Sequence, residues 1–147
     1  MPNYNVRMKK NSIAIISRIR ENSSKFLTKK LEENGIKGVV PSHGDIMAEL
    51  FKTEKCTMKE LSEKIHRTKS TVTTLVEKLL ELGFVEKEKS AKDCRITYIK
   101  LTTRGKSLKP AFIKISEELN AKVYKNFSTE EADLLEQLLE KLNQNLR

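Results

Sequence analysis

Apolar residues recur every three or four positions through most of this chain, which is the spacing of amphipathic helices. The spacing predicts a first helix over Asn11–Glu33. It predicts a second helix, opened by Pro41 and Ser42, that runs from Gly44 to about Lys52. Further helices are predicted in the middle of the chain and at its C-terminal end, so the pattern indicates a mostly helical protein.

The middle of the chain carries two helix starts in close succession. Thr57 and Glu60 form a T-x-x-E capping box, in which each side chain bonds the other's backbone N–H, so a helix begins at about Met58. Thr68 is a candidate N-cap for the next helix, and a tight turn fits between the two. The second helix has an apolar stripe at helical spacing, formed by Val72, Leu75, Val76 and Leu79.

A change of period follows this helix. Gly83 suits the left-handed conformation that ends many helices. Residues 84–88 and 95–101 then have the composition of strands, with a polar tip over residues 89–94 between them. A hairpin directly after a pair of short helices is a wing. The order therefore predicts an α+β fold, a winged helix-turn-helix with a two-stranded wing.

The chain after the hairpin is again helical. Thr102 or Thr103 is predicted to cap a long helix, which Pro110 is expected to kink near its start. Ser128 and Glu131 form an S-x-x-E capping box for the last helix. That helix carries a stripe two leucines wide, broader than a single intramolecular contact requires. The stripe consists of Leu134, Leu135, Leu138, Leu139, Leu142 and Leu146.

The charge distribution singles out the central part of the chain. The chain carries 29 Lys and Arg against 20 Asp and Glu, a net charge of +9. Residues 52–110 hold 15 basic against 8 acidic residues, whereas residues 111–147 hold 5 against 7. A local excess of basic residues is typical of proteins that neutralise DNA phosphates, although RNA or an anionic membrane surface would also attract a basic segment.

The sequence contains no pattern typical of catalysis or metal binding. His43 and His66 stand in no Ser/His/Asp or Cys/His arrangement, and no Gly-rich phosphate loop is present. Cys56 and Cys94 form no CxxC pair, so we expect incidental thiols, with Cys94 exposed at the hairpin tip. No segment approaches the ~20 apolar residues of a membrane span, and the first residues lack a signal-type apolar core. We therefore expect a cytoplasmic protein that is not an enzyme and that holds no metal or cofactor.

The segment STVTTLVEKLLELGFVEK, followed by DCRITYIKLTTRG, resembles the MarR family of transcription regulators. The wing signature of that family is Asp-x-Arg, several residues, then Leu-Thr and a glycine shortly after. Asp93, Arg95, Leu101, Thr102 and Gly105 match this signature. The match joins the helix, the wing and the next helix start at fixed spacing, which makes it specific.

The resemblance implies a single domain over residues 1–147. Residues 41–105 would form the DNA-binding winged helix-turn-helix, and residues 1–40 and 106–147 would supply dimerisation helices. The first turns of a recognition helix meet base edges in the major groove and need short polar side chains and cations. The implied DNA contacts are Arg67, Thr68, Lys69, Ser70, Thr71, Thr73, Thr74 and Lys78 on the recognition helix, and Lys89, Ser90, Lys92 and Arg95 on the wing. Asp93, two residues before Arg95 and so on the same side of a strand, is expected to hold Arg95 or neighbouring wing amides in place.

The family pairs its first and last helices across a two-fold axis. The resemblance therefore implies a homodimer, and more specifically a repressor, that binds a palindromic operator in double-stranded DNA. It also implies a pocket between the dimerisation helices and the DNA-binding part for a small effector, often aromatic or anionic. Arg18, Arg20 and Lys25 are candidates to meet an anion, although a solvated helix surface explains them more simply. The predicted dimerisation residues are Ile13, Ile16, Leu134, Leu135, Leu138, Leu139 and Leu142.

Proteins of another class use the same fold. A winged helix can serve as a protein-interaction module without sequence-specific DNA binding, but its exposed helix is then usually apolar. This chain has Lys69, Ser70 and Thr71 there instead, with two more threonines behind them. RNA binding usually needs exposed aromatic rings for stacking, and Tyr98 alone is a poor platform. The sequence thus favours duplex DNA as the partner.

Overall fold

The computed structural model describes residues 11–147. The segment before residue 11, where the sequence lacks a signal-type core and where the predicted dimerisation region begins, lies outside the described residues. The elements in chain order are α1 Ser12–Glu33, α2 Pro41–Lys52, β1 Cys56–Thr57, α3 Met58–Ile65, α4 Lys69–Glu81, β2 Val85–Lys89, β3 Thr97–Leu101, α5 Thr103–Lys106, α6 Lys109–Val123 and α7 Thr129–Asn145.

The helix starts around the central turn agree with the sequence. The Thr57 hydroxyl accepts a hydrogen bond from the Glu60 backbone N–H (3.1 Å), and the Glu60 carboxylate accepts one from the Thr57 N–H (2.9 Å). Thr68 caps α4 by accepting from the Thr71 N–H. Between the two helices, His66 adopts a left-handed conformation with φ 55°. The predicted capping box and N-cap are confirmed.

The start of α2 differs from the prediction. The helix begins at Pro41, three residues before Gly44, with proline in the first turn where its missing N–H costs nothing. The buried imidazole of His43 accepts a hydrogen bond from the Val40 N–H at Nδ1 (2.9 Å) and so satisfies an unpaired donor. Burial, with a smaller contribution from the charge of Lys78, lowers the pKa of His43 below its ordinary value. The neutral imidazole that can accept this bond is therefore favoured.

The hairpin belongs to a three-stranded antiparallel sheet of order β1-β3-β2. Val85 pairs with Leu101 at one end of the hairpin and Lys89 pairs with Thr97 at the other. The predicted two-stranded wing is confirmed as the β2–β3 hairpin, and β1 adds a third strand to its sheet through the pairing of Cys56 with Ile99. A strand of two residues carries no alternation of its own, and for that reason the sequence did not indicate it.

The helix predicted after the wing is broken. Thr102 caps the short helix α5 by accepting from the Gly105 N–H (3.1 Å), and α6 begins at Lys109. A continuous helix would need an N–H at residue 110 and would place the proline ring against the carbonyl of residue 106. Pro110 instead lies in the first turn of α6, where no N–H is required. The prediction of one kinked helix was therefore wrong.

Contacts divide the chain into two compact units, Met1–Ile115 and Ser116–Arg147. The core of the first unit is formed by one face of each of α2, α3 and α4 together with the inner face of the sheet. Its most deeply buried side chains are those of Ile46, Met47, Cys56, Leu61, Val72, Val76, Leu79 and Ile99. The core thus fixes α4 by its apolar stripe and leaves its other face outward.

The second unit contains the end of α6 and all of α7. Ser128 and Glu131 form the predicted capping box at the start of α7, with bonds of 2.9 and 3.1 Å. The Tyr124 hydroxyl donates to the Glu136 carboxylate (2.6 Å), which ties the two helices together. Among residues 11–147, no helix has the length and apolar character needed to cross a membrane. The mostly helical, winged helix-turn-helix fold predicted from the sequence is confirmed.

Candidate nucleic-acid interface

The outward face of α4 is entirely polar at its N-terminal end. Val72, Val76 and Leu79 are fully buried, so the opposite side of the helix points away from the core. The predicted recognition residues Arg67, Thr68, Lys69, Ser70, Thr71 and Thr74 are exposed, and Thr73 and Lys78 are half-buried. The structure therefore brings all eight together on one helix and the turn before it.

The threonines of this face are held by local hydrogen bonds. The Thr73 hydroxyl donates to the Lys69 carbonyl (2.9 Å), and the Thr74 hydroxyl donates to the Ser70 carbonyl (3.2 Å). The Thr68 hydroxyl donates to the Thr71 hydroxyl (2.9 Å). These bonds fix the side-chain rotamers before any partner arrives, so the surface is preorganised.

Two charged neighbours of this face were not anticipated from the sequence. Asp45 of α2 lies near Arg67; burial raises the pKa of the Asp45 carboxyl, while the positive charge of Arg67 opposes that rise. Lys78 reaches Glu81 at 3.8 Å, so part of its charge is used within the helix. Among the predicted cations of α4 and its preceding turn, Lys69 alone has neither an ion pair nor an acidic neighbour of this kind within the described residues.

The wing tip is organised by Ser90. Its backbone N–H donates to the Ile96 carbonyl (2.9 Å), and its hydroxyl accepts from the N–H groups of Lys92 and Asp93 (3.3 Å each). Ser90 was predicted to contact DNA, and the structure shows that its side chain shapes the turn. Lys89 and Lys92 are exposed, and neither forms an ion pair within the described part of the chain. Their charges are available to an anionic partner.

Arg95 and Asp93 form a close pair beside this tip. The Asp93 carboxylate accepts from the Arg95 backbone N–H (3.0 Å), from Nε (3.0 Å) and from a terminal guanidinium nitrogen (3.1 Å). These bonds lower the pKa of Asp93, with the guanidinium as the main cause. The Arg95 side chain is nevertheless 86% exposed. Asp93 thus bonds both the guanidinium and the backbone N–H of Arg95.

The geometry behind this pair differs from the prediction. Residues 95 and 96 were assigned to the strand, but β3 begins at Thr97 and Arg95 lies in the turn before it. The pair forms because a carboxylate two residues upstream can bond a backbone N–H and bend the chain, and strand alternation plays no part. Cys94 lies in the same turn and is exposed, as expected, whereas Cys56 is buried.

An ion cluster on the sheet was also missed. Lys55 contacts Glu88 at 2.8 Å and lies over the Tyr98 ring at 4.5 Å, and Lys100 contacts both Glu88 (3.1 Å) and Glu86 (3.5 Å). Hydrogen bonds from Lys55 and then Lys100 lower the pKa of Glu88. Lys55 and Lys100 contribute to the basic excess in the sequence, yet their charges are largely neutralised here. Lys69, Lys89 and Lys92, by contrast, form no ion pair among the described residues, so their charges remain available at the start of α4 and at the wing tip.

The cations proposed for an anionic effector lie on α1. Arg20 and Lys25 line a shallow groove along this helix with Ser17, Ser24 and Thr28, and Lys25 is paired with Glu21 at 3.0 Å. Arg18 is exposed. Within residues 11–147, no group of three or more His, Cys, Asp or Glu side chains is arranged to hold a metal ion.

Comparison with known sequences gives a consistent family assignment. A family model described as MarR family matches residues 40–97. The HTH-type transcriptional regulator BilQ of Clostridium symbiosum is 29% identical over 125 residues, which is 84% of this chain and 83% of BilQ. The HTH-type transcriptional repressor YetL of Bacillus subtilis is 32% identical over 88 residues, covering 60% of this chain and 53% of YetL.

Solved structures share the fold. A complex of S. aureus MepR with DNA superposes with a TM-score of 0.83 at 23% identity, covering 91% of this chain and 97% of that one. A structure of Bordetella bronchiseptica BpsR, solved to explain the regulation of its DNA binding by 6-hydroxynicotinic acid, has a TM-score of 0.79 at 13% identity over 91% and 94% of the two chains. At these identities, the likeness concerns the fold alone.

Proposed function

The chain belongs to the MarR family of winged helix-turn-helix transcription regulators, and we propose that it is a homodimeric repressor that binds a palindromic operator in duplex DNA and responds to a small molecule. The recognition helix is α4 and the wing is the β2–β3 hairpin. The chain would act in the cytoplasm and catalyse no reaction, in keeping with relatives that are themselves transcription regulators.

The outward face of α4 carries this proposal. None of the eight predicted contact residues is apolar, and three of them, Arg67, Lys69 and Lys78, are cations. Short polar side chains and cations at the first turns of a helix are what base edges and phosphates require. A protein-interaction module would bury apolar side chains at this surface, so the alternative function is disfavoured.

In a homodimer, the second copy supplies the recognition helix for the second half-site of the operator. Ile13 is 60% exposed on α1, and Leu134 and Leu138 are each 54% exposed on α7, which leaves apolar surface suited to a second copy. Two copies related by a two-fold axis would present two recognition helices to half-sites about one DNA turn, ~34 Å, apart. An operator with two-fold sequence symmetry matches that arrangement.

The effector is proposed to be a small aromatic or anionic molecule. The DNA binding of BpsR, which shares the fold, is regulated by an aromatic acid. Such a ligand would shift operator affinity only if it bound one conformation of the dimer better than another. No other cofactor enters the proposal.

Selection from a random duplex library tests the DNA-binding function directly. The purified protein should enrich related sequences with two-fold symmetry, and the enriched duplex should bind more tightly than a random duplex of equal length at physiological salt. For both duplexes, the logarithm of the binding constant should fall linearly with the logarithm of the salt concentration. If no sequence is enriched over repeated rounds, the protein-interaction alternative takes the place of this proposal.

Arg95 is expected to contribute to operator binding more than any other wing residue. A wing lies beside the DNA backbone, and the planar guanidinium of Arg95 suits the negative potential of a narrow minor groove. Arg95→Ala should weaken binding to the selected operator about tenfold or more, and Arg95→Lys should restore only part of the loss. The thermal midpoint should barely change, since the Arg95 side chain is 86% exposed. Fluorescence anisotropy and thermal melting measure the two quantities.

Lys92→Ala is the matched control for this prediction, because it removes an exposed charge from the same wing tip. It should weaken operator and random duplexes about equally and reduce the salt slope by roughly one unit. Asp93→Ala should cost less affinity than Arg95→Ala, and the double variant should lose less than the two singles added, because the residues are in contact. Unaltered operator binding by Arg95→Ala would remove the wing from the DNA interface.

A further inference from the structure

Two threonines of α4 use their hydroxyl protons within the helix. Thr73 donates to the carbonyl of Lys69 and Thr74 donates to the carbonyl of Ser70, each four residues upstream. A hydroxyl has one proton, so neither side chain has a proton left to donate to a base. The remaining substituent on Cβ is a methyl group, staggered by about 120° from the bonded oxygen.

Thr74 lies at the centre of the outward face. It is two residues from both Val72 and Val76, which at 3.6 residues per turn places it about 160° away from each of these buried positions. Its side chain is exposed, whereas Thr73 is half-buried on the flank of the helix. The methyl group of Thr74 is therefore presented to whatever lies against α4.

The first turn of the helix differs from this second turn. The Thr71 hydroxyl accepts from the Thr68 hydroxyl, so the proton of Thr71 is not used in that bond. Thr71 is exposed and can donate to a base or a phosphate. The face thus has a hydrogen-bond donor in its first turn and an apolar contact in its second.

We propose that Thr74, with a smaller contribution from Thr73, recognises the C5-methyl group of thymine in the major groove of the operator. This inference rests on the proposed DNA-binding function. Thymine is the base that exposes a methyl group in that groove, and a threonine methyl is one of the apolar groups that contact it. Each half-site then contains a thymine at a fixed position against the second turn of α4.

The main competing interpretation assigns the contact to the hydroxyl. The Thr74 oxygen keeps lone pairs and can accept from the amino group of adenine or cytosine while it donates to the carbonyl. The two interpretations differ in what they require of the side chain. Methyl recognition survives replacement of the hydroxyl by a second methyl, and hydroxyl recognition survives removal of the methyl.

The first arm of the experiment alters the DNA. In the operator selected by the wild-type chain, each thymine is replaced in turn by deoxyuridine, which removes the methyl group and preserves base pairing. We expect one thymine in each half-site to be sensitive, with an about fourfold loss of affinity per methyl, equivalent to the ~0.8 kcal/mol of a buried methylene. The control is deoxyuridine in the sequence that flanks the two half-sites, where it should not change the affinity.

The second arm alters the protein with two variants, each of which keeps one of the two Cβ substituents of threonine. Thr74→Val keeps the methyl and the β-branched shape, and Thr74→Ser keeps the hydroxyl; serine, threonine and valine have similar helix propensities. We expect Thr74→Val to retain operator affinity within about twofold. Thr74→Ser is present in both subunits and should lose about sixteenfold, which is about fourfold at each of the two half-sites. Thr74→Ser should also bind thymine and deoxyuridine operators equally, because the methyl partner is absent. Thr129→Ser at the exposed start of α7 is the matched control and should behave as wild type.

The outcomes separate the inference from the function on which it depends. If Thr74→Ser binds as wild type and Thr74→Val is weakened, the hydroxyl makes the contact and the inference is overturned. The same holds if no deoxyuridine substitution weakens a selected operator. A wild-type chain that selects no duplex at all overturns the proposed function, and the thymine contact with it.

Discussion

Replacing Gly105 by alanine is expected to lower the free energy of unfolding by about 3 kcal/mol or more, at the upper end of what overpacking costs. A Cβ at this position would overlap the carbonyl oxygen of Phe84 and would lie 3.2 Å from a methyl carbon of Leu101. Gly105 is buried at the first turn of α5, directly against the end of the wing. The substitution therefore places an atom where the backbone already is.

The Phe84 carbonyl cannot easily move away. It accepts a hydrogen bond from the Thr102 N–H (3.0 Å), and the Thr102 hydroxyl donates to the neighbouring Gly83 carbonyl (2.6 Å). The same hydroxyl caps α5 by accepting from the Gly105 N–H. Relief of the overlap would break at least one of these bonds between the wing and α5.

Thermal and urea unfolding of the purified protein measure this effect, and a loss of this size should lower the midpoint by roughly 6–12 °C in a chain of this length. Gly44→Ala is the matched control. Gly44 lies inside α2, and a Cβ there would meet the Phe112 ring at an ordinary 3.5 Å. Alanine is the better helix former, so Gly44→Ala should stabilise by about 0.5–1 kcal/mol. Equal stability of the two variants would show that the approach of α5 to Phe84 is not tight.

The sequence predicted those parts of the fold that depend on neighbours along the chain. The capping boxes at Thr57 and Ser128 and the left-handed Gly83 were correct because each depends on a few consecutive residues. Pairing over long separations was not predictable. The contact of Lys55 with Glu88 joins residues 33 positions apart, and it forms only because β1 pairs with β3.

The sequence predicted which residues of α4 share the candidate site, but it did not predict which hydrogen bonds their side chains form. All the predicted positions on α4 are together on one helix and its preceding turn, since helical period alone decides which side chains share a face. The donors at Thr73 and Thr74 could not be anticipated, because the choice between bonding a carbonyl and pointing outward is a choice of rotamer. That choice changes the expected partner from a hydrogen-bonding group to a methyl group.

The break between α5 and α6 shows how one residue can decide between two local structures. The apolar spacing of the predicted long helix begins only at Leu108, because α5 has no apolar side chain, so periodicity gives no sign of a break after Lys106. Pro110 prevents one continuous helix, because it cannot bond the carbonyl four residues before it. One helix therefore ends at Lys106 and the next begins at Lys109.

Replacing both Leu134 and Leu138 by lysine is expected to separate the proposed homodimer into monomers. Both leucines are 54% exposed and lie one turn apart on α7, so they pack less within the chain than the other leucines of the stripe except Leu146. Covering the exposed half of one leucine is worth about 1 kcal/mol. A two-fold interface contains each residue twice, so the double substitution removes about 4 kcal/mol, a thousandfold rise in the dissociation constant.

Sedimentation velocity at micromolar concentration measures the assembly, and circular dichroism establishes that the variant remains helical. Gln137→Lys with Gln144→Lys is the control, because it adds the same two charges to exposed positions on the polar flank of α7, outside the leucine stripe. The control should stay dimeric. A wild-type chain that sediments as a stable monomer would contradict the dimer, and so would a double leucine variant that sediments like the control. Because a monomer meets only one half-site, the leucine variant should also lose the preference for operators with two-fold symmetry while retaining its wing and recognition helix.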